Sequence, residues 1–154
     1  MERNMQNLSA PEKKRLAQEV LQLRYWQHLV NEALKKNAFT VTVHMAIGHE
    51  AIAVAINNVM NADDQLVLSH RNIEYNLARR GSLDPVVQEF LMSPDGAAKG
   101  KLGSMNLAQA DSGVVYTSSI LGNNLPVASG LALGKVVKGS PGIVIVLTGD
   151  GAME

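Results

Sequence analysis

Hydrophobic and polar positions recur along this chain with a helical period first and a strand-like run last, and the changes of period mark its elements. Leu16, Val20, Leu23, Val30 and Leu34 follow one another at three-, four- or seven-residue steps, while Glu12, Lys13, Lys14, Glu19 and Lys35 fall mostly on the opposite side. That stripe predicts one long amphipathic helix. Its start is marked by Ser9-Ala10-Pro11-Glu12, a capping box with proline in the first turn, and it is expected to end near Asn37. Residues 50–60 (EAIAVAINNVM) predict a more deeply buried helix, residues 61–64 a polar turn and residues 65–69 a short strand. Residues 72–80 predict a further helix. Asp84-Pro85 reads as an N-cap followed by proline at the first helical position, so that residues 85–92 form a helix ended by Ser93-Pro94-Asp95-Gly96.

Beyond that turn, Gly96, Gly100, Gly103 and Gly113 predict a mostly irregular segment over residues 96–119. A connection of that length inside a compact domain is functional or disordered. Residues 126–137 are rich in small side chains (Ala128, Ser129, Gly130, Ala132, Gly134), as in a helix packed closely on a sheet. The run GIVIVL at 142–147 is unbroken and β-branched, which predicts a central parallel strand covered by helices on both faces. Helices alternating with such strands make the fold class α/β. Gly149-Asp150-Gly151 follows that run after Thr148, at the carboxyl end of a strand, where open α/β sheets bind their ligands.

Composition narrows the function classes. The 154 residues suffice for one domain or part of a larger one, and 14 basic against 14 acidic residues leave no net field toward nucleic acid or an anionic membrane. With no cysteine there is no disulfide, thiolate metal site or cysteine nucleophile. The segment MERNMQN lacks the apolar core of an export signal, and the uncharged apolar run at residues 143–147 is too short to span a bilayer. A soluble, cytoplasmic protein is the expectation.

Three places could carry chemistry. Thr148-Gly149-Asp150-Gly151 serves equally as a tight turn or as a site in which glycines admit a diphosphate and Asp150 offers a hard oxygen to Mg²⁺ or Ca²⁺. The loop from Gly96 to Ser104 is not a nucleotide P-loop: Leu102 stands where Ser or Thr should follow the lysine, and the glycine spacing is one residue short. His44, His49 and His70 lie near turns and element ends, a placement that suits a site as well as a surface or capping role. His44 and His49 lack a third ligand nearby for zinc.

Taken together these segments resemble one family. His44-Met-Ala-Ile-Gly48-His49-Glu50-Ala51 is similar to the His-x-x-x-Gly-Gln-Glu-Ala signature in the alpha subunits of pyruvate, branched-chain and acetoin dehydrogenases. Ser69-His70-Arg71 resembles the family's diphosphate clamp, Gly100-Lys101-Leu102-Gly103-Ser104-Met105-Asn106 its Gly-x-Gly-Gly-Ser-Met-His, Ile120-Leu121-Gly122 with Pro126 its Ile-Val-Gly and proline, and Gly149-Asp150-Gly151-Ala152 the opening of its thiamine motif. Five motifs in the family's order are specific. The resemblance implies a three-layer thiamine-diphosphate-binding fold, a central parallel sheet flanked by helices and incomplete in this chain. Residues 1–37 would form a leading helical segment and 38–154 the cofactor-binding portion.

The resemblance further implies thiamine diphosphate and Mg²⁺ as cofactors, with Arg71 and His70 on the diphosphate, Ser119 and Leu121 against the aminopyrimidine, Gly149, Gly151 and Ala152 lining the diphosphate, and Asp150 as a Mg²⁺ ligand. His44 would lie near the reacting centre as the catalytic histidine. The implied reaction is oxidative decarboxylation of a 2-oxo acid with acyl transfer. A beta subunit would be the partner in an α2β2 heterotetramer, with a lipoyl carrier as candidate acceptor. Three positions depart from the pattern: Ile73 or Glu74 stands where the family has a second histidine, His49 replaces glutamine, and Asn106 replaces the loop's terminal histidine. The family's motif continues into an Asn-containing half, and its activating glutamate comes from the beta subunit. The 154-residue chain by itself is therefore expected to be an inactive part of such an enzyme. The rival expectation is a non-catalytic remnant that keeps the fold and its partner surface without the cofactor.

Overall fold

The computed structural model describes residues 8–153. Helix α1 (Ala10–Lys35) begins at the expected capping box: Ser9 accepts from the Glu12 backbone N–H, and the Glu12 carboxylate accepts from the Ser9 N–H at 2.9 Å. It ends at Lys35, since Asn37 takes a left-handed φ of 54°. Leu23 and Val30 are buried, and Leu16, Val20 and Leu34 pack partly against the same core. Helix α2 (Glu50–Val59), strand β1 (Gln65–Ser69) and helix α3 (Ile73–Arg80) occupy the expected places.

Helix α4 (Asp84–Phe90) is shorter than expected. Leu83, not Asp84, is its N-cap, so Asp84 is helical and adds favourable charge to the first turn, and a positive φ at Met92 stops the helix before that residue. The segment 96–119 is not irregular throughout, because residues Val114–Ser118 form a second strand, β2. Helix α5 (Asn124–Lys138) starts two residues before Pro126, and β3 (Val144–Val146) is the last strand.

All strand pairs are parallel, in the order β2-β1-β3. Among the described residues the middle strand is β1, and the GIVIVL run lies at an edge. Leu66, Val67 and Leu68 are fully buried there, whereas β3 is half-buried throughout and, among the described residues, pairs on one edge only. Register and hydrogen bonds fix the three strands at both ends. Asp64, just before β1, accepts from the Ile143 N–H at 2.8 Å and so holds the start of β3. At the other end Ser69 lies beside Ser118, Val67 beside Val146, and Asn124 of α5 donates to the Leu147 carbonyl. The α/β arrangement thus brings three carboxyl-terminal strand ends to one rim.

Candidate functional site

An open cleft of about 590 Å³ lies at that rim. β1 delivers Ser69, His70 and Arg71 to it, β3 delivers Leu147 to Ala152, the turn after β2 delivers Leu121 and Gly122, and α2 and α3 contribute His49, Ile52, Glu74 and Tyr75. Asn72 sets the turn after β1, donating to the carbonyls of Ser69, His70 and Ser104 at 3.0–3.1 Å. It is held in turn by Asn76, which Gln109 caps at 2.6 Å, so three buried amides lock the backbone that presents His70 and Arg71. Gly122 has φ 79° and packs against Ala152, which turns Leu121 toward the cleft.

Several polar atoms at this rim are buried without a hydrogen-bond partner: His70 Nδ1, Thr148 Oγ1 and both carboxylate oxygens of Glu74. His44 stands behind the cleft wall, its ring edge-on to His70 at 5.1 Å between centroids, and its Nδ1 is unpartnered too. Burial, then the neighbouring His44 and Arg71, lower the pKa of His70. Burial drives Glu74 the other way, up to about 8; nearby Glu50 adds to this, while Arg71 and the Glu74 amide oppose it without prevailing. Glu74 is thus largely a neutral acid at pH 7. Among the described residues the Arg71 guanidinium has neither a hydrogen bond nor an ion pair, although it is exposed at the cleft.

A model of the dehydrogenase E1 component family matches residues 18–154. The chain belongs to this family. The alpha subunit of acetoin:2,6-dichlorophenolindophenol oxidoreductase from Bacillus subtilis is 30% identical over 149 residues, which is 96% of this chain and 45% of that protein. The mitochondrial pyruvate dehydrogenase E1 component subunit alpha of Pisum sativum is 31% identical over 130 residues, 84% of this chain and 33% of that one. The corresponding acetoin subunit of Cupriavidus necator is 33% identical over 112 residues, 71% of this chain and 33% of its own length. The chain therefore spans less than half the length of these relatives.

In this chain the cleft unites most residues the sequence pointed to. His70, Arg71, Leu121, Gly149, Asp150, Gly151 and Ala152 share it, and so does His49. His44 touches it through His70, and Ser119 lies beside it, exposed, with its backbone N–H held by Asn106 at 3.1 Å. Asp150 sits in a single 3-10 turn, Asp150–Ala152, and no cluster of three metal-ligating side chains occurs among the described residues. Sequence reasoning singled out neither Asn72, Asn76 and Gln109 nor the ion pair behind the first histidine motif. There Glu50 accepts from Arg24 at 2.6 and 2.8 Å, from Gln27 at 2.8 Å and from the Gly48 N–H at 2.9 Å. Gln27 also binds the Ala46 N–H, fixing the His44 loop to α1. The only sequence signal for these was polar residues on helical faces otherwise apolar.

Proposed function

We propose that this chain forms the diphosphate-clamping part of a thiamine-diphosphate-dependent 2-oxo acid dehydrogenase, acting with a beta subunit in an α2β2 assembly. One observation carries the reading: an unpaired arginine fork and a Gly-Asp-Gly turn share a cleft at the carboxyl ends of three parallel strands. A guanidinium with no partner in the protein suits a diphosphate, which its planar donors can grip bidentately. Gly149 and Gly151 support this independently. A Cβ built on either meets nothing within 4 Å and neither has a positive φ, so neither packing nor conformation calls for glycine there. Room for a close ligand does.

The residues present fit the cofactor and its cation. Arg71 and His70 would hold the diphosphate, and Asp150 would supply one carboxylate oxygen to Mg²⁺, which commonly takes one or two carboxylates together with phosphate oxygens and water. Leu121 would pack against the ring system. Bound there, thiamine diphosphate supplies the carbanion chemistry and electron sink that decarboxylation of a 2-oxo acid requires. The protein's own share is to fix the diphosphate, shield the reacting centre, and place His70 and His44 as a contacting imidazole pair near the substrate. Each ring nitrogen there can donate or accept a hydrogen bond to the substrate. The acyl group then passes to an acceptor, for which a lipoyl carrier is a candidate.

Calorimetric titration of thiamine diphosphate with Mg²⁺ into the full-length chain assembled with its beta subunit tests this. Binding that requires both Arg71 and Mg²⁺ is the expected result. The rival reading, a scaffold that keeps the fold without a cofactor, predicts no binding, and that outcome would overturn the proposal.

A further inference from the structure

Glu74 is the least explained group in the cleft. Its side chain is fully buried, neither oxygen has a hydrogen-bond partner, and yet it belongs to the cleft wall. A polar group in that state costs folding free energy unless a ligand or a movement completes it. The nearest candidate partner is His49, the N-cap residue of α2, whose Nδ1 lies 4.0 Å from Glu74 Oε1. His49 is itself 54% exposed and makes no side-chain hydrogen bond among the described residues. So an exposed imidazole stands between the cleft and a buried carboxyl.

We propose that His49 and Glu74 form a proton-relay pair: His49 touches a bound 2-oxo acid and Glu74, behind it, is the positioning residue that supplies the proton. The inference rests on the reading of the cleft as a 2-oxo acid site. The gap of 4.0 Å is too long for a hydrogen bond, and closing it by about 1 Å, as a ligand pressing on the ring would do, makes one. His49 then sits as the neutral tautomer with its proton on Nε2 and its Nδ1 lone pair toward the Glu74 O–H. As the 2-oxo oxygen gains negative charge, the Nε2 proton moves to that oxygen and the Glu74 proton moves to Nδ1. The balance is one proton from Glu74 to the ligand, leaving a carboxylate.

The charges around Glu74 are consistent with that cycle. Glu50 on α2 disfavours the Glu74 carboxylate and is itself neutralised by Arg24 of α1; Arg71 ahead of α3 favours the carboxylate. His70 and Asp150 line the same cleft, and Tyr75 adjoins Glu74 along α3. The carboxyl thus holds its proton at rest and can release it with Arg71 near.

The test uses the full-length chain assembled with its beta subunit, in wild-type form and as E74Q, H49Q and the double variant. Each single substitution is expected to lower kcat roughly ten- to a hundredfold, with thiamine diphosphate affinity unchanged, and the double variant is expected to be no slower than the slower single. The fall of kcat with rising pH that reports Glu74 ionisation is expected to vanish in E74Q. Multiplying losses, a wild-type kcat in E74Q, or an unchanged alkaline limb would overturn the relay. Infrared titration of the protonated carboxyl, without ligand or cofactor, separates this from failure of the cofactor reading. The Glu74 band should be absent in E74Q and should titrate at lower pH in H49Q, because the Nδ1 lone pair 4.0 Å away no longer favours the protonated carboxyl. A midpoint unmoved in H49Q would overturn the pairing even if the enzyme binds its cofactor. H49Q changes an exposed side chain, which keeps the test open should E74Q fail to fold.

Discussion

Glu89 and Glu74 are both fully buried glutamates, and they define two differently built regions. Glu89, on α4, is wrapped by the glycine loop that follows it: the backbone N–H groups of Ala98, Gly100, Leu102 and Gly103 all donate to its carboxylate at 2.8–3.1 Å. Burial alone would raise its pKa, but those four donors prevail and hold it below the usual carboxylate range. Glu74 has no such donors and is pushed up to about 8. The first region is complete within the protein. The second is left open, as a site that expects its partners from outside would be.

Removing the carboxylate from the complete region should have the largest effect. Glu89→Ala strands four backbone donors and is expected to cost about 3–5 kcal/mol of folding stability by chemical denaturation. Glu74→Leu, which removes an unpartnered carboxyl, is expected to be near neutral or stabilising on the same measurement. Gly100→Ala belongs with Glu89: its φ is +68° and a Cβ there would lie 2.5 Å from the Met92 backbone, so a loss above about 1 kcal/mol is expected. Equal losses for Glu89→Ala and Glu74→Leu would break the comparison.

Next in size is the open region's ligand. If the proposed function holds, Arg71→Ala in the assembly with a beta subunit should weaken thiamine diphosphate by about 1.5–3 kcal/mol, roughly ten- to a hundredfold, as expected for loss of a charge-assisted contact. His44→Ala should instead lower kcat and leave cofactor affinity nearly unchanged, because His44 reaches the cleft only through the His70 ring. Calorimetry beside steady-state kinetics checks both, and equal losses of affinity would mean that the two histidines and the arginine act as one cofactor clamp.

What the sequence showed and hid follows the same division. Helices α1, α2 and α3 and strand β1 were legible because their apolar spacing is set by the core they build. The capping box at Ser9 was legible because its chemistry is local. β2 was hidden inside a segment read as loop, since Val114-Val115-Tyr116 is a short run beside Gly113, and its strand character comes from pairing with β1. GIVIVL has the composition of a central strand, yet among the described residues the middle place belongs to β1, a matter of chain order across the sheet that no local pattern encodes. In the site, Arg71, Asp150 and the glycines were found as motifs. The amides of Asn72, Asn76 and Gln109 and the cradle of Glu89 were not, because long-range hydrogen bonds between ordinary polar residues leave no periodic trace.

The two regions should also pull stability in opposite directions with pH. Glu74 holds its proton in the folded state between the unfolded glutamate value, about 4.3, and about 8, so over that window the folded state binds more protons and stability falls as pH rises, by at most about 1.4 kcal/mol per pH unit. Glu50, Glu89 and Asp64 all have lowered pKa values; their contribution is present above the unfolded value and is lost as pH falls through the folded ones. Melting curves across pH should therefore show decline on both sides. Glu74→Gln is expected to flatten only the decline between about pH 4.3 and about 8, and a flattened limb below that window instead would reverse the assignment.

The smallest expected change in stability tests the open region most narrowly. At Gly151 an added Cβ meets nothing within 4 Å, and the residue lies in the Asp150–Ala152 turn with no positive φ. Gly151→Ala should thus shift folding stability by no more than about 0.5 kcal/mol, the range of a substitution that disturbs neither packing nor conformation. The methyl group would nonetheless stand in the cleft, beside Asp150, where the proposed function puts the diphosphate and its cation. Thiamine diphosphate affinity should fall while the melting temperature stays put, a split that a merely structural glycine cannot produce. Gly100→Ala provides the control, since it should lower the melting temperature and leave cofactor affinity intact in whatever fraction remains folded. If Gly151→Ala instead left affinity unchanged, the diphosphate would have to lie elsewhere in the cleft, and the role given to the Gly149-Asp150-Gly151 turn would fall with it.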